Sequence, residues 1–140
     1  MSIKYYRIFI DGIDKSGKDT IASYIDILSN HKYVVKARGI LSMVAYSHLY
    51  ERNYDYEIDE QNTVNVLINV EKQDWLVRCK YTSEKKINYE KNVKAFEFAK
   101  TELLKKMSTS CILLEYNSSY KTAYEIALEI LQTMEELNNE

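Results

Sequence analysis

The chain has 140 residues, 46% of them hydrophobic, with a formal charge of −2 and a pI near 5.8. That length suits one domain around a single core, and so balanced a charge gives no global electrostatic case for binding nucleic acid. No run of 18 apolar residues occurs, and Met1-Ser2-Ile3-Lys4-Tyr5-Tyr6 leads straight into a strand-like stretch, so neither a membrane span nor a signal peptide is expected and the protein is read as cytoplasmic.

The first strand is expected over Tyr6–Ile10. Directly after it comes Gly12-Ile13-Asp14-Lys15-Ser16-Gly17-Lys18-Asp19-Thr20, with the glycine, glycine and lysine spacing of a phosphate-binding loop. Glycines let backbone N–H groups turn inward on an anion. The helix that follows adds its positive dipole end, and Lys18 is placed to reach the outer phosphates. That helix is expected over Lys18–Ser29, because Ile21, Tyr24, Ile25 and Leu28 form one apolar stripe. Gly12, Asp14, Ser16, Gly17, Lys18, Asp19 and Thr20 are thus the candidate ATP-binding residues. The hydroxyl residue that usually follows the lysine and binds magnesium is Asp19 here, with Thr20 one step later. A carboxylate can ligate Mg²⁺, so Asp19 and Thr20 are the candidate metal ligands; the other reading of Asp19 is a first-turn carboxylate serving the helix dipole.

Further strands are expected at Tyr33–Val35, Val64–Val70 and Cys111–Tyr116, and helices at Leu41–Arg52, Lys72–Thr82, Tyr89–Met107 and Tyr120–Leu137. The last helix shows an apolar face from Tyr120 and Tyr124 to Leu137, with Asn117-Ser118-Ser119 as its expected capping residues. Strands alternating with helices imply a three-layer α/β fold with about four mostly parallel strands and helices on both faces. In such a sheet ligands bind at the carboxyl ends of the strands, which collects the phosphate loop, Arg38-Gly39 and Asn117 at one edge. Cys79 and Cys111 lack metal spacing and are read as reduced, buried thiols. His31 and His48 stand apart from each other and from both cysteines, so surface or capping roles are expected. The absence of proline, with only 3 Gly and 13 Tyr, is the composition of an AT-biased coding sequence, a bias common in phages and low-GC bacteria.

The opening Phe9-Ile10-Asp11-Gly12-Ile13-Asp14-Lys15-Ser16-Gly17-Lys18, and the second stretch Ala37-Arg38-Gly39-Ile40-Leu41-Ser42-Met43-Val44-Ala45-Tyr46, together resemble the thymidylate kinase-like group of P-loop nucleoside monophosphate kinases, especially its small phage members. The resemblance implies a phage-type kinase in the host cytoplasm that uses ATP and Mg²⁺ to phosphorylate a deoxynucleoside monophosphate. Carried over by matching position, Lys18 would hold the donor's β- and γ-phosphates and Lys15 would stabilise the transferring group. Arg38 would clamp the acceptor phosphate, and Asp14 would face the acceptor sugar. Ser42 and Tyr46 would line the acceptor pocket, with Asp11 as a further acceptor-side carboxylate. Phosphoryl transfer needs positive charge on both sides of the moving group, which Lys15, Lys18 and Arg38 would supply.

The family's lid corresponds to the segment at about residues 76–90, where Arg78 is the candidate phosphate contact, with Lys80, Lys85 and Lys86 behind it. The plainer reading of Lys85 and Lys86 is a solvated loop. Arg38 admits a helix-start role without a ligand, and Tyr46 and Tyr50 admit packing instead of base stacking. Asp11 replaces the family's commoner Glu, and Ala37 stands where it has Asp before the arginine. Two other functions therefore stay open. One is a nucleotide-binding module without turnover; the other is a nucleoside kinase with Asp11 as base. Related kinases pair through helices, so a homodimer is an expectation of the resemblance, and nucleotides are the expected partners.

Overall fold

The computed structural model describes residues 4–52, 62–80, 88–106 and 112–139. Four parallel strands, β1 (Arg7–Gly12), β2 (Val34–Ala37), β3 (Thr63–Asn69) and β4 (Ile112–Asn117), form one sheet in the order β2-β1-β3-β4. Parallel neighbours require crossovers, and helices supply them. These are α1 (Lys18–Leu28), α2 (Ile40–Leu49), α3 (Lys72–Cys79), α4 (Tyr89–Lys106) and α5 (Ala123–Asn138). The expected α/β class, strand number and two-sided helix cover are all present.

Side-chain alternation on the two central strands builds two cores. Ile8 and Ile10 of β1 and Val64, Val66 and Ile68 of β3 point to one face, where they meet Ile21 and Ile25 of α1 and Ile126, Ala127, Ile130 and Met134 of α5. Each fully buried isoleucine here contributes about 1.5–3 kcal/mol. On the other face Leu67 meets Leu41, Val44 and Ala45 of α2 and Ala95, Phe96, Ala99 and Leu103 of α4. β3 is buried along nearly its whole length, as a central strand covered on both faces must be. No helix among the described residues is long and apolar enough to cross a membrane.

Several expected boundaries move. β1 extends through Asp11 and Gly12 because both pair with β3, opposite Leu67 and Ile68. β2 begins at Val34 and runs to Ala37, while Tyr33 is a buried core residue just before it. α5 starts at Ala123, later than expected. Thr122 accepts from the Glu125 N–H and Glu125 reaches back to the Thr122 N–H, a reciprocal capping box in place of the expected Asn117-Ser118-Ser119 cap. Tyr120 consequently lies outside the helix and is 76% exposed, and Tyr124 packs edge-on against Tyr24 at the surface. The buried stripe of α1 reduces to Ile21 and Ile25. Cys79 is only half-buried, against the α2/α4 core, and Cys111 falls outside the described residues. His31 meets the Asp26 carboxylate at the surface, and His48 stacks on Phe98 with 3.9 Å between ring centres.

Candidate functional site

The loops at the carboxyl ends of all four strands converge on the turn between β1 and α1. Gly12 has no room for a side chain: a Cβ there would sit 2.5 Å from the Ile68 carbonyl and 2.6 Å from Ser16 Oγ. Gly17 adopts φ +96° as the N-cap of α1, a conformation open to glycine at little cost. No side chain caps α1, so its first-turn amides carry no side-chain acceptor, the arrangement that favours an anion. Lys15 also has positive φ, at 64°, and the Ser16 N–H closes the turn on the Ile13 carbonyl.

Lys18 is only 3% exposed and folds back over the loop, its Nζ donating to the Ile13 carbonyl at 3.4 Å. Burial pulls its pKa down, while the charges of Asp19 and Asp14 act in the opposite direction; Arg38 lowers it further. Asp14, Asp11 and Arg38 are therefore all within electrostatic reach of Lys18. Tyr46 belongs to the same group: burial raises its pKa, and Asp14 and Arg38 both act on it.

Arg38 has φ 82°, strained for a side chain of its size, and its N–H is anchored on the Ile10 carbonyl. It opens a cleft of about 300 Å³ also lined by Ser42, Met43, Tyr46 and Arg52. Tyr46 stacks on Tyr50 and meets Phe96 edge-on. Gly39 is obligatory at this turn, because a Cβ would lie 2.7 Å from Phe9 Cβ and 2.9 Å from its ring.

Two of the expected site residues are engaged by other parts of the chain. Asp11 is fully buried. Its Oδ1 accepts from the Gly39 N–H at 2.6 Å, the Ser42 N–H at 3.1 Å and the Ser42 hydroxyl. It is the cap that α2 lacks from its own N-cap residue, and it fixes the Arg38 turn against β1. Oδ2 is buried without a hydrogen-bond partner among the described residues, and burial raises the pKa despite the bonds from Ser42 and Gly39. Ser42 accordingly borders the cleft with its hydroxyl directed at Asp11.

Arg78, expected in a lid, is on α3 and bonds to Lys15 and Ser118. Its Nη1 donates to the Lys15 carbonyl at 2.7 Å and to Ser118 Oγ at 3.1 Å, and Nη2 to the Ser118 carbonyl at 3.4 Å. Residues 81–87, with Lys85 and Lys86, lie outside the described residues. Asp19 and Thr20 are both exposed on the first turn of α1.

Trp75, buried at 5% exposure, donates its indole N–H to the Asp14 carbonyl at 3.0 Å. Its spacing of three from Arg78 puts both on one helical face, a signal that was present in the sequence. Beside the loop, Ile13, Asn69, Glu71, Tyr89, Phe96 and Asn117 line a second cleft of about 320 Å³.

Among solved structures, the chain is similar to a thymidylate kinase from Candida albicans, with a TM-score of 0.53 over 96% of this chain and 93% of that one. The fold is thymidylate kinase-like. Sequence identity between the two is 12%, so the likeness lies in the path of the backbone. No protein-family model matches the chain, and no curated protein matches it by sequence.

Proposed function

We propose that this chain transfers the γ-phosphoryl group of ATP to a nucleoside monophosphate, with thymidylate or a related deoxynucleotide as acceptor. The observation that carries the reading is the placement of Lys18 after β1 and Arg38 after the neighbouring β2, near enough that the charge of Arg38 acts on Lys18, over a loop with an uncapped helix start. Charge on both sides of a moving phosphoryl group, held in place beforehand, is what this reaction asks of a protein.

The loop fits a nucleotide phosphate chain by the uncapped amides at the start of α1 and by Lys18. Asp19 and Thr20 offer a carboxylate and a hydroxyl, oxygen donors that suit Mg²⁺ sharing its coordination with phosphate and water. Magnesium, when bound, would neutralise charge on the phosphates. Asp14 is half-buried within reach of both Lys18 and Tyr46, which makes it the acceptor-side carboxylate in this reading.

A second reading, nucleotide binding without turnover, is favoured by two observations: the Asp11 carboxylate is enclosed by Gly39 and Ser42, and the residue before Arg38 is Ala37. The test is incubation with Mg·ATP and each common nucleoside monophosphate, measuring ADP and diphosphate, with Lys18→Ala as control. Diphosphate formed from one acceptor and lost in the control supports the kinase. ATP binding without product from any acceptor supports the module.

A further inference from the structure

A backbone cradle for phosphate works only if its peptide planes are held, and within the loop the Ser16 N–H anchors one of them on the Ile13 carbonyl. Residues Asp14 and Lys15 sit mid-loop, and Lys15 is in a left-handed conformation that a lysine does not adopt without support. Support comes from α3. Trp75 Nε1 takes the Asp14 carbonyl and Arg78 Nη1 takes the Lys15 carbonyl, so both peptide planes flanking Lys15 are tied from one helix face. In a trans peptide the N–H points opposite to the carbonyl. Anchoring the Asp14 carbonyl on α3 therefore directs the Lys15 N–H to the other side of the loop.

Arg78 carries the restraint further. The Ser118 N–H and hydroxyl both donate to the Asn69 carbonyl at the end of β3, and the same hydroxyl accepts from Arg78. The guanidinium lies 4.0 Å from where a Cβ on Gly17 would be, beside the start of α1. One planar fork thus joins the phosphate loop and the β4–α5 turn and, through Ser118, the end of β3. A lysine ammonium in its place has neither the fork nor the reach for all three.

We infer that Arg78 and Trp75 are positioning residues that set the phosphate loop in its anion-binding conformation from α3. For its nucleotide readout the inference rests on the function proposed above, so its test includes a measurement without nucleotide.

Three variants are compared with the wild-type chain: Trp75→Phe, which keeps the ring and loses the N–H, Arg78→Lys, and the two combined. Thermal melts confirm that each folds. Hydrogen exchange of the Lys15 and Ser16 amides is followed without ligand, with the β3 amides as internal reference, and Mg·ATP affinity is measured by calorimetry. Expected are faster exchange confined to the loop in both single variants and weaker ATP binding in both. The loss should be about fivefold for Trp75→Phe and on the order of tenfold for Arg78→Lys, as befits a neutral and a charge-assisted hydrogen bond. The double variant should fall short of the product of the two, because both act on one segment.

Trp75 has no charge to offer a phosphate. Weakening by Arg78→Lys alone, with Trp75→Phe at wild-type affinity and unchanged loop exchange, would overturn the inference and give Arg78 a direct ligand contact. Loop exchange that rises in both variants while the wild-type chain itself binds no ATP would sink the proposed function and leave the positioning role standing.

Discussion

Replacing Asp11 by alanine should unfold the start of α2 from the sheet. Two main-chain N–H groups, of Gly39 and Ser42, and the Ser42 hydroxyl would lose their common acceptor in a fully buried place. Hydrogen bonds to a charged group contribute about 1.5–3 kcal/mol each, and a lost N-cap alone costs about 1 kcal/mol. Against this, the variant removes a carboxylate whose second oxygen has no partner among the described residues and whose burial is unfavourable enough to raise its pKa. The net expectation is a loss of about 2–4 kcal/mol, read from urea unfolding at neutral pH.

Asp11→Asn keeps an oxygen acceptor for both amides and should lose about 1 kcal/mol or less. The pair also tests the titration. Because the folded-state pKa of Asp11 is raised above 3.8, its contribution is fully present below that unfolded value and is lost as pH rises through the folded one. Wild type should therefore gain on Asp11→Asn as the solution is acidified through that window. An Asp11→Ala midpoint within about 0.5 kcal/mol of wild type, the range of an ordinary surface change, would refute the capping argument. So would an asparagine variant as damaged as the alanine one.

Lys18→Met should bind nucleotide far more weakly yet be more stable at neutral pH by about 1 kcal/mol, since a buried cation is removed. The lowered pKa of Lys18 makes its charge unfavourable in the folded state below the folded pKa. That penalty fades as pH rises toward 10.5, so the variant's advantage in urea should shrink on the alkaline side, and an advantage that grows there would contradict the assignment. Gly12→Ala should be worse than Gly17→Ala in thermal melts: the first meets the Ile68 carbonyl at 2.5 Å, whereas the second makes only ordinary contacts at 4.0 Å with Arg78 and Ser118 and bears the strain of φ +96°, about 1–2 kcal/mol. Thr122→Ala should lower stability by about 1 kcal/mol through loss of the capping box, with nucleotide binding intact. A Thr122→Ala melt at the wild-type temperature would count against that cap.

Local information fixed a good deal of this protein. The Gly12–Thr20 run, flanked by an apolar strand and an amphipathic helix, specifies a loop at a helix start because glycine conformation, helix dipole and side-chain period all act within a few residues. Alternation of strands and helices specifies a parallel sheet, since parallel neighbours need crossovers. Thr122 and Glu125 cap α5 in place of the expected Asn117-Ser118-Ser119. Those residues are engaged elsewhere: Ser118 by Arg78 and Asn69, and Ser119 by the Glu71 N–H.

Only the tertiary structure assigned Asp11 and Arg78. Asp11 meets Gly39 across 28 residues, and Arg78 meets Lys15 across 63. Both pairings exist because β1 lies between β2 and β3, which brings the Arg38 turn to one flank of the phosphate loop and α3 to the other. A carboxylate or a guanidinium announces its chemistry in the sequence. Whether it serves a ligand or the main chain depends on which strand ends the sheet order brings beside it.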